Sequence, residues 1–491
     1  DFFSVWIERM RPTMSEIFLD FKDTAIRSVK MAAYTIYSSC TPAFLVRQDW
    51  SKMPSVKKLE RERMVQASLV NPDMIHRDTV VKVKDELCKP GKKPRLFMSY
   101  GDAVVAAPWL PEIAKKHMHG WHFITIGLLE VCIVAYTQPK TSELTALFEE
   151  LISAMVSTRD YLCVAFYSDD SCYAGCYHGV QFGFNVDISS CDSSNGVPIF
   201  YLVGALLHGI DSEMSLQLIE QCTKPLTIPL EDGGKIQIDT GSVFEGSGAV
   251  VTTILNNVAS AGIAVCVAII MSKTEVVTSR ADIEKIIVDG ATMMGHKVTV
   301  ASVEVAGVLQ PAKFQFLKYS PMEAVHTTTG EVKLVPVRNF GTIIKSFGQL
   351  SEPMQARQLN MTVGAFRVLT VSQKFDLFLG GVVKGYCNEP RSPLLDALRS
   401  RFLDQSIELD KGFVLVETDF DFSDYKVLES SQIARYGALD YTEMTRIIQE
   451  LQYGDIVTEH TLETFMVIDY EAKYTRGETI DYSFTAHNYT W

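Results

Sequence analysis

Across its 491 residues the chain shows no internal repeat, no low-complexity linker and no cysteine framework. The missing repeats exclude a solenoid or an array. Its ten cysteines lie scattered without paired spacing, which speaks against a disulfide-stapled secreted domain and for a reducing cytoplasm. A chain this long buries an ample core without disulfides or a structural metal. Positive charge is scarce as well. With 46 Lys and Arg against 59 Asp and Glu, the net charge is −13, which excludes indiscriminate nucleic-acid binding. One run, Ala249 to Met271, lacks charge altogether and is long enough to cross a bilayer. Thr252, Thr253, Asn256 and Asn257 in its first half would be costly in lipid, so a helix buried inside a large soluble protein is expected, and no membrane span. The chain begins at Asp1 without an initiator methionine or a signal-peptide pattern, as expected of a piece cut from a longer product.

What is present is ordinary globular composition, 47% hydrophobic and 21% charged, enough for roughly two to four domain-sized units. The pattern predicts mostly helix over 1–45 and two extended pieces over 80–100 around a Pro90-Gly91 turn. A helix is expected over 142–161, opening on a capping box at Ser142. Next come a buried strand "LCVAFY", a tight turn "SDD", a returning strand "CYAGCYHG" and a further strand in "VQFGFNVDISSCD" that ends in a loop. Ile199 to Cys222 reads as a helix, and "LTIPLEDGGKIQI" as a hairpin turning on Asp232-Gly233-Gly234. The uncharged helix is expected over 247–272 and an amphipathic one over 281–294. Short strands follow near 314–318 and 333–338, then mainly helix after about 345, with breaks near Pro390 and Pro393. This mixture is α+β.

Several clusters carry chemistry. From Lys82 to Arg95 six basic residues outnumber Asp85 and Glu86, a strip that either focuses anions at one place or is a solvated charge run. "FYSDDSCYAG" sets Asp169 and Asp170 at a turn, either a metal-binding hairpin or an acidic surface turn. In "NVDISSCDSSNG", Asp187 ends a strand and a turn brings Asp192 back beside it. The backbone N–H groups of Ser189, Ser190 and Cys191 are then on offer to an anion. Together these turns gather carboxylates at neighbouring strand ends, the hard oxygen ligands that two Mg2+ ions need. Cys172, Cys176 and His178 instead share one face of an extended strand. They are too spread to join Cys191 in one tetrahedral zinc site. In "EGSGAVVTTILNN", Gly246 and Gly248 flank Ser247, while Thr252 and Asn256 lie four apart on one helical face.

These segments together resemble a viral RNA-dependent RNA polymerase. "DISSCD" is similar to that family's motif A, "SGAVVTTILN" to motif B, "VKDEL" through "GKKPRLF" to the basic motif F, and "FLKYS" to the primer-grip motif E. "YSDD" resembles motif C, but its position departs from the usual order. No Asp-Asp pair occurs between Asn257 and Phe314, where motif C normally follows motif B. The order C, A, B resembles the permuted polymerases of permutotetraviruses and birnaviruses, and "SDD" favours the permutotetravirus side. The resemblance spans Lys82 to Ser320 and implies a right-handed polymerase. Fingers are expected over 1–160 with an insertion at 199–245, palm over 161–198 and 246–340, and a thumb over 341–491.

By that resemblance, Asp169 and Asp187, assisted by Asp170, would hold two Mg2+ ions, with Mn2+ able to substitute. Asp192 and Asn256 would read the ribose 2′-hydroxyl, supported by Ser247, Gly248 and Thr252. Lys84, Arg95 and either Lys93 or Lys92 would neutralise the triphosphate, and Lys318 would touch the primer. Lys297 is the expected general acid, with His296 as its competitor. Implied partners are an RNA template and primer and NTPs, with a protein primer or self-guanylylation as further options, in the host cytoplasm or the virion. A reverse transcriptase and a non-catalytic viral RNA-binding protein stand as alternatives.

Overall fold

The computed structural model describes residues 79–83, 96–99, 118–136, 139–196, 222–239, 251–338 and 425–452, with Ile199, Phe200, Val203, Ile219 and Glu245 as single positions. The described residues form an α+β fold rich in antiparallel strands. At its centre is a six-stranded sheet of β3 (Gly120–Ile126), β4 (Leu129–Ala135), β5 (Tyr161–Tyr167), β6 (Asp170–Tyr177), β7 (Val180–Ile188) and β10 (Val298–Ser302), in the order β10-β7-β6-β5-β4-β3. Every neighbouring pair is antiparallel except β4 with β5. A parallel pair needs a crossover, and helix α1 (Thr141–Met155) supplies it.

Both faces of this sheet are covered, so β5 is apolar at almost every position rather than alternating. Leu162, Val164 and Phe166 face one core, which also takes Phe182, Phe184 and Val186 of β7. That core is closed by α3 (Thr252–Lys273) and α4 (Arg280–Met293). Cys163 and Ala165 of β5, with Cys172 and Ala174 of β6, face the other way onto Leu144, Leu147, Phe148 and Leu151 of α1. The small side chains on that face let α1 lie close to the strands. Among the described residues α3 alone is long and apolar enough to cross a membrane, and 89% of its most apolar stretch is buried inside the protein. At the start of α4, Ser279 caps reciprocally: Asp282 N donates to Ser279 Oγ and Ser279 N to Asp282 Oδ2.

Three smaller sheets complete the described strands. Strands β1 (Thr79–Val83), β2 (Leu96–Ser99), β8 (Leu226–Pro229) and β9 (Lys235–Ile238) pair in the order β2-β1-β8-β9. Strands β11 (Glu304–Val305) and β12 (Val308–Leu309) form a short hairpin. Strand β13 (Tyr319–His326) lies between β14 (Val332–Arg338) and β15 (Tyr425–Val427), and β15 leads into α5 (Glu429–Tyr436) and α6 (Ala438–Gln452).

Several sequence expectations need correction. Helix α1 ends at Met155, not near Tyr161, because polar Ser157 to Asp160 turn the chain into β5. Its start is capped by Glu143, whose Oε2 accepts the Lys140 N–H at 2.7 Å, rather than by Ser142. Residues 314–318 are not a strand. Leu317 and Lys318 take left-handed φ values of 52° and 65°, turning the chain between Phe316 and Tyr319 so that the strand begins at Tyr319. Strands β3 and β4 and helix α1, which precede residue 160, belong to the same sheet and core as β5. The expected helix over 1–45, the Pro90-Gly91 turn, most of 199–222 and most of the chain after 345 lie outside the described residues.

Helices α3 and α4 cross at Gly290. A Cβ there would lie 2.6 Å from Val267 Cγ2 and 3.0 Å from the Val267 backbone nitrogen. Alanine would gain about 1 kcal/mol of helix propensity, but overpacking against a β-branched side chain and its backbone costs about 1–3 kcal/mol. Gly290→Ala is therefore expected to lower the apparent Tm in a thermal melt. An unchanged or raised Tm would mean that the two helices separate freely at this crossing.

Candidate functional site

The site gathers where β5, β6 and β7 end beside the first turns of α3. Ser168 and Asp169 connect β5 to β6, and Ser168 takes a left-handed φ of 56°. That conformation is unfavourable for a residue other than glycine, and α3 holds it from three sides. Asn257 Oδ1 accepts the Ser168 N–H at 2.7 Å. Asn256 Nδ2 donates to Ser168 Oγ at 3.1 Å, and Ser260 Oγ donates to the Ser168 carbonyl.

Asp170 opens β6 directly opposite Asp187 on β7, and Ile188 N donates to the Asp169 carbonyl. The side chain of Asp169 is exposed, whereas those of Asp170 and Asp187 are half-buried. Asp170 has an additional task, because its Oδ2 accepts the Leu317 N–H at 2.7 Å. This bond draws the Leu317–Lys318 turn against the acidic hairpin and leaves Lys318 exposed on that turn. Among the described residues no three His, Cys, Asp or Glu side chains stand close enough to hold a metal by themselves. Asp169 and Asp187 offer carboxylate oxygens at adjoining chain ends, which suits a Mg2+ ion that takes one or two carboxylates and completes its shell with water and phosphate oxygens.

Beyond β7, Ser189 and Ser190 turn into the single-turn helix α2 (Cys191–Ser194). The Ser189 N–H does not face an anion as expected; it donates to the Lys297 carbonyl at 2.8 Å. Ser190 is exposed, in a left-handed conformation with φ 50° and ψ 48°. Cys191 is buried, and its thiol donates to Asn256 Oδ1 at 3.2 Å. Burial, with Glu245, Asp169 and Asp192 nearby, pushes that thiol well above its usual pKa, so it remains a protonated donor. Asp192, half-buried, accepts Asn256 Nδ2 on Oδ1 at 2.8 Å.

Sequence reasoning missed Asn195 and Glu245 here. Asn195 Nδ2 donates to Asn256 Oδ1 and to Glu245 Oε2, both at 2.7 Å. Thr252 also hydrogen-bonds the Glu245 carboxyl, rather than only its own helix. Burial, reinforced by the Asp192 charge, raises the Glu245 pKa well above the carboxylate range. The one available hint was the pair Asn256-Asn257 inside an apolar helix, since buried amides require partners.

The structure separates the two candidates for a general acid. Lys297 is exposed just before β10, beside the Ser189 turn. His296 is 3% exposed, its Nδ1 is paired with Ser194 Oγ at 2.9 Å, and burial lowers its pKa to about 4. A buried imidazole that is neutral at physiological pH is poorly suited to donate a proton, and His296 here ties α2 to the α4–β10 loop. Lys84, Lys92, Lys93, Arg95, Ser247 and Gly248 lie outside the described residues.

No protein-family model matches the chain, and a search of curated proteins finds no match.

His296 makes stability depend on pH. An unfolded histidine binds its proton near pH 6.5, whereas folded His296 binds one only near pH 4. Between those values the unfolded chain holds more protons, so stability falls as the pH drops from 6.5 towards 4, by about 3 kcal/mol in all. His296→Gln is expected to flatten this part of the slope in urea unfolding measured across pH. An unaltered slope would assign the titration to another group.

Proposed function

We propose that the chain is a template-directed RNA polymerase, extending an RNA 3′-hydroxyl with NTPs and releasing pyrophosphate. One observation carries this reading: the Asp169-Asp170 turn, which precedes Asp187 in sequence, lies beside it in the sheet, while Asp192 two residues into α2 is bonded to Asn256 of α3. An acidic hairpin, an acidic strand end and a carboxylate–amide pair thus meet at one place, in the arrangement expected of motifs C, A and B. Swapping the chain order leaves such a site intact, because a hairpin can join the next strand from either side. On this reading the central sheet is the palm of a right hand, the β2-β1-β8-β9 sheet belongs to the fingers, and α5 and α6 belong to the thumb.

Asp169 and Asp187 are the proposed holders of two Mg2+ ions. Such ions activate the attacking hydroxyl and stabilise the leaving pyrophosphate. Asp170 contributes mainly by docking the Leu317 turn, which sets Lys318 where a primer phosphate would pass. With Oδ1 held by Asn256, Asp192 has Oδ2 left to accept the ribose 2′-hydroxyl, the group that distinguishes RNA from DNA. Lys297, exposed beside the same turn, is the proposed proton donor to pyrophosphate. A reverse transcriptase would share the acidic hairpin, but the buttressed Asp192–Asn256 pair favours ribonucleotides.

Asp169→Asn and Asp187→Asn should each lower Mg2+-dependent incorporation of ribonucleotides on a primed RNA template by more than about a hundredfold. Wild-type RNA synthesis in both variants would remove Asp169 and Asp187 from the catalytic site, and no RNA synthesis by the unaltered protein would end the polymerase reading in favour of an RNA-binding protein. Preference for deoxynucleotides in the unaltered protein would point to reverse transcription.

A further inference from the structure

Asn256 can face Asp192 in only one of its two amide orientations, and the reason lies deeper in the protein. Its Oδ1 accepts from Asn195 Nδ2 and Cys191 Sγ, while its Nδ2 donates to Asp192 Oδ1 and Ser168 Oγ. Turning the amide over would set an oxygen against the Asp192 carboxylate and a nitrogen against the Asn195 nitrogen. Asn195 cannot yield by rotating its own amide, because Nδ2 is shared between Asn256 Oδ1 and Glu245 Oε2. Glu245 is 1% exposed and Asn195 4%, so neither group has water as a ready substitute. The relay Glu245–Asn195–Asn256–Asp192 therefore begins in the core and reaches the half-exposed site only at Asp192.

We propose that Asn195 and Glu245 are positioning residues that fix the Asn256 amide, and through it Asp192, so that the site discriminates ribonucleotides from 2′-deoxyribonucleotides. The proposal rests on the polymerase function above. Neither residue touches a nucleotide; each acts through the next member of the relay. The raised pKa of Glu245 fits this role, because burial favours its neutral form and so limits negative charge near Asp192. A glutamine at that position would still present an oxygen to Asn195, and an alanine would not.

The decisive measurement is single-nucleotide incorporation of ATP and of dATP by the full chain on a primed RNA template, expressed as the ratio of their kcat/KM values. Asn195→Asp keeps the shape but removes the donating nitrogen, and Glu245→Ala removes the anchor. Each is expected to reduce the ratio about tenfold or more, chiefly by admitting dATP. Glu245→Gln should retain the wild-type ratio. General damage to the fold slows both nucleotides alike and leaves the ratio unmoved, so a purely structural role would not produce this pattern. An unchanged ratio in active Asn195→Asp and Glu245→Ala proteins overturns the inference and leaves the polymerase function standing. Failure of the unaltered protein to incorporate either nucleotide overturns both.

Discussion

The hold of α3 on Ser168 is the constraint from which the rest of the site follows. A serine in left-handed conformation places the acidic turn, and three polar residues, Asn256, Asn257 and Ser260, on an otherwise apolar helix keep it there. Without those bonds the β5–β6 turn would have no reason to stay strained, and Asp169 would have no fixed relation to Asp187. The same helix reaches the other way to Asp192 through Asn256. One side chain thus ties the hairpin to the loop beyond β7, so the two acidic elements share a buttress rather than each having its own.

This arrangement explains why an uncharged helix nonetheless carries two asparagines and a serine that are almost fully buried. Apolar residues in those places would pack equally well against the sheet and give α3 no means of orienting the turn. Buried amides require partners, and Asn256 and Asn257 find them in Ser168, Asp192, Cys191 and Asn195. The polar network and the apolar core are therefore parts of one helix. Its first turns serve the site, and the remainder secures it against β4 and β5.

Much of this was legible in the sequence, because it depended on local pattern. The β5–β6–β7 meander was visible as apolar runs broken by tight turns, and α3 as a long run without charge. The Asp192–Asn256 pairing was implied by the resemblance of their two segments to motifs A and B. Where long-range partners decide the outcome, the sequence was silent or misleading. Nothing adjacent to Asn195 or Glu245 announces that they meet across 50 positions. Residues 314–318 look like a strand because no glycine marks the left-handed turn at Leu317 and Lys318. Ser189 seemed to offer its N–H to a ligand because the Lys297 carbonyl that takes it comes from the distant α4–β10 loop.

The order of the strands bears on how the site is assembled during folding. Asp170 and Asp187 meet within a continuous meander in which β6 joins β7 through the short His178-Gly179 turn. Closing so short a loop costs little chain entropy, so the two carboxylate-bearing elements find each other by local collapse. The contacts that complete the site, from α3 to Ser168 and Asp192, span far more sequence and cost more loop-closure entropy. The acidic hairpin is thus a unit of short sequence separation, and its orientation is supplied by a helix residue 89 positions away.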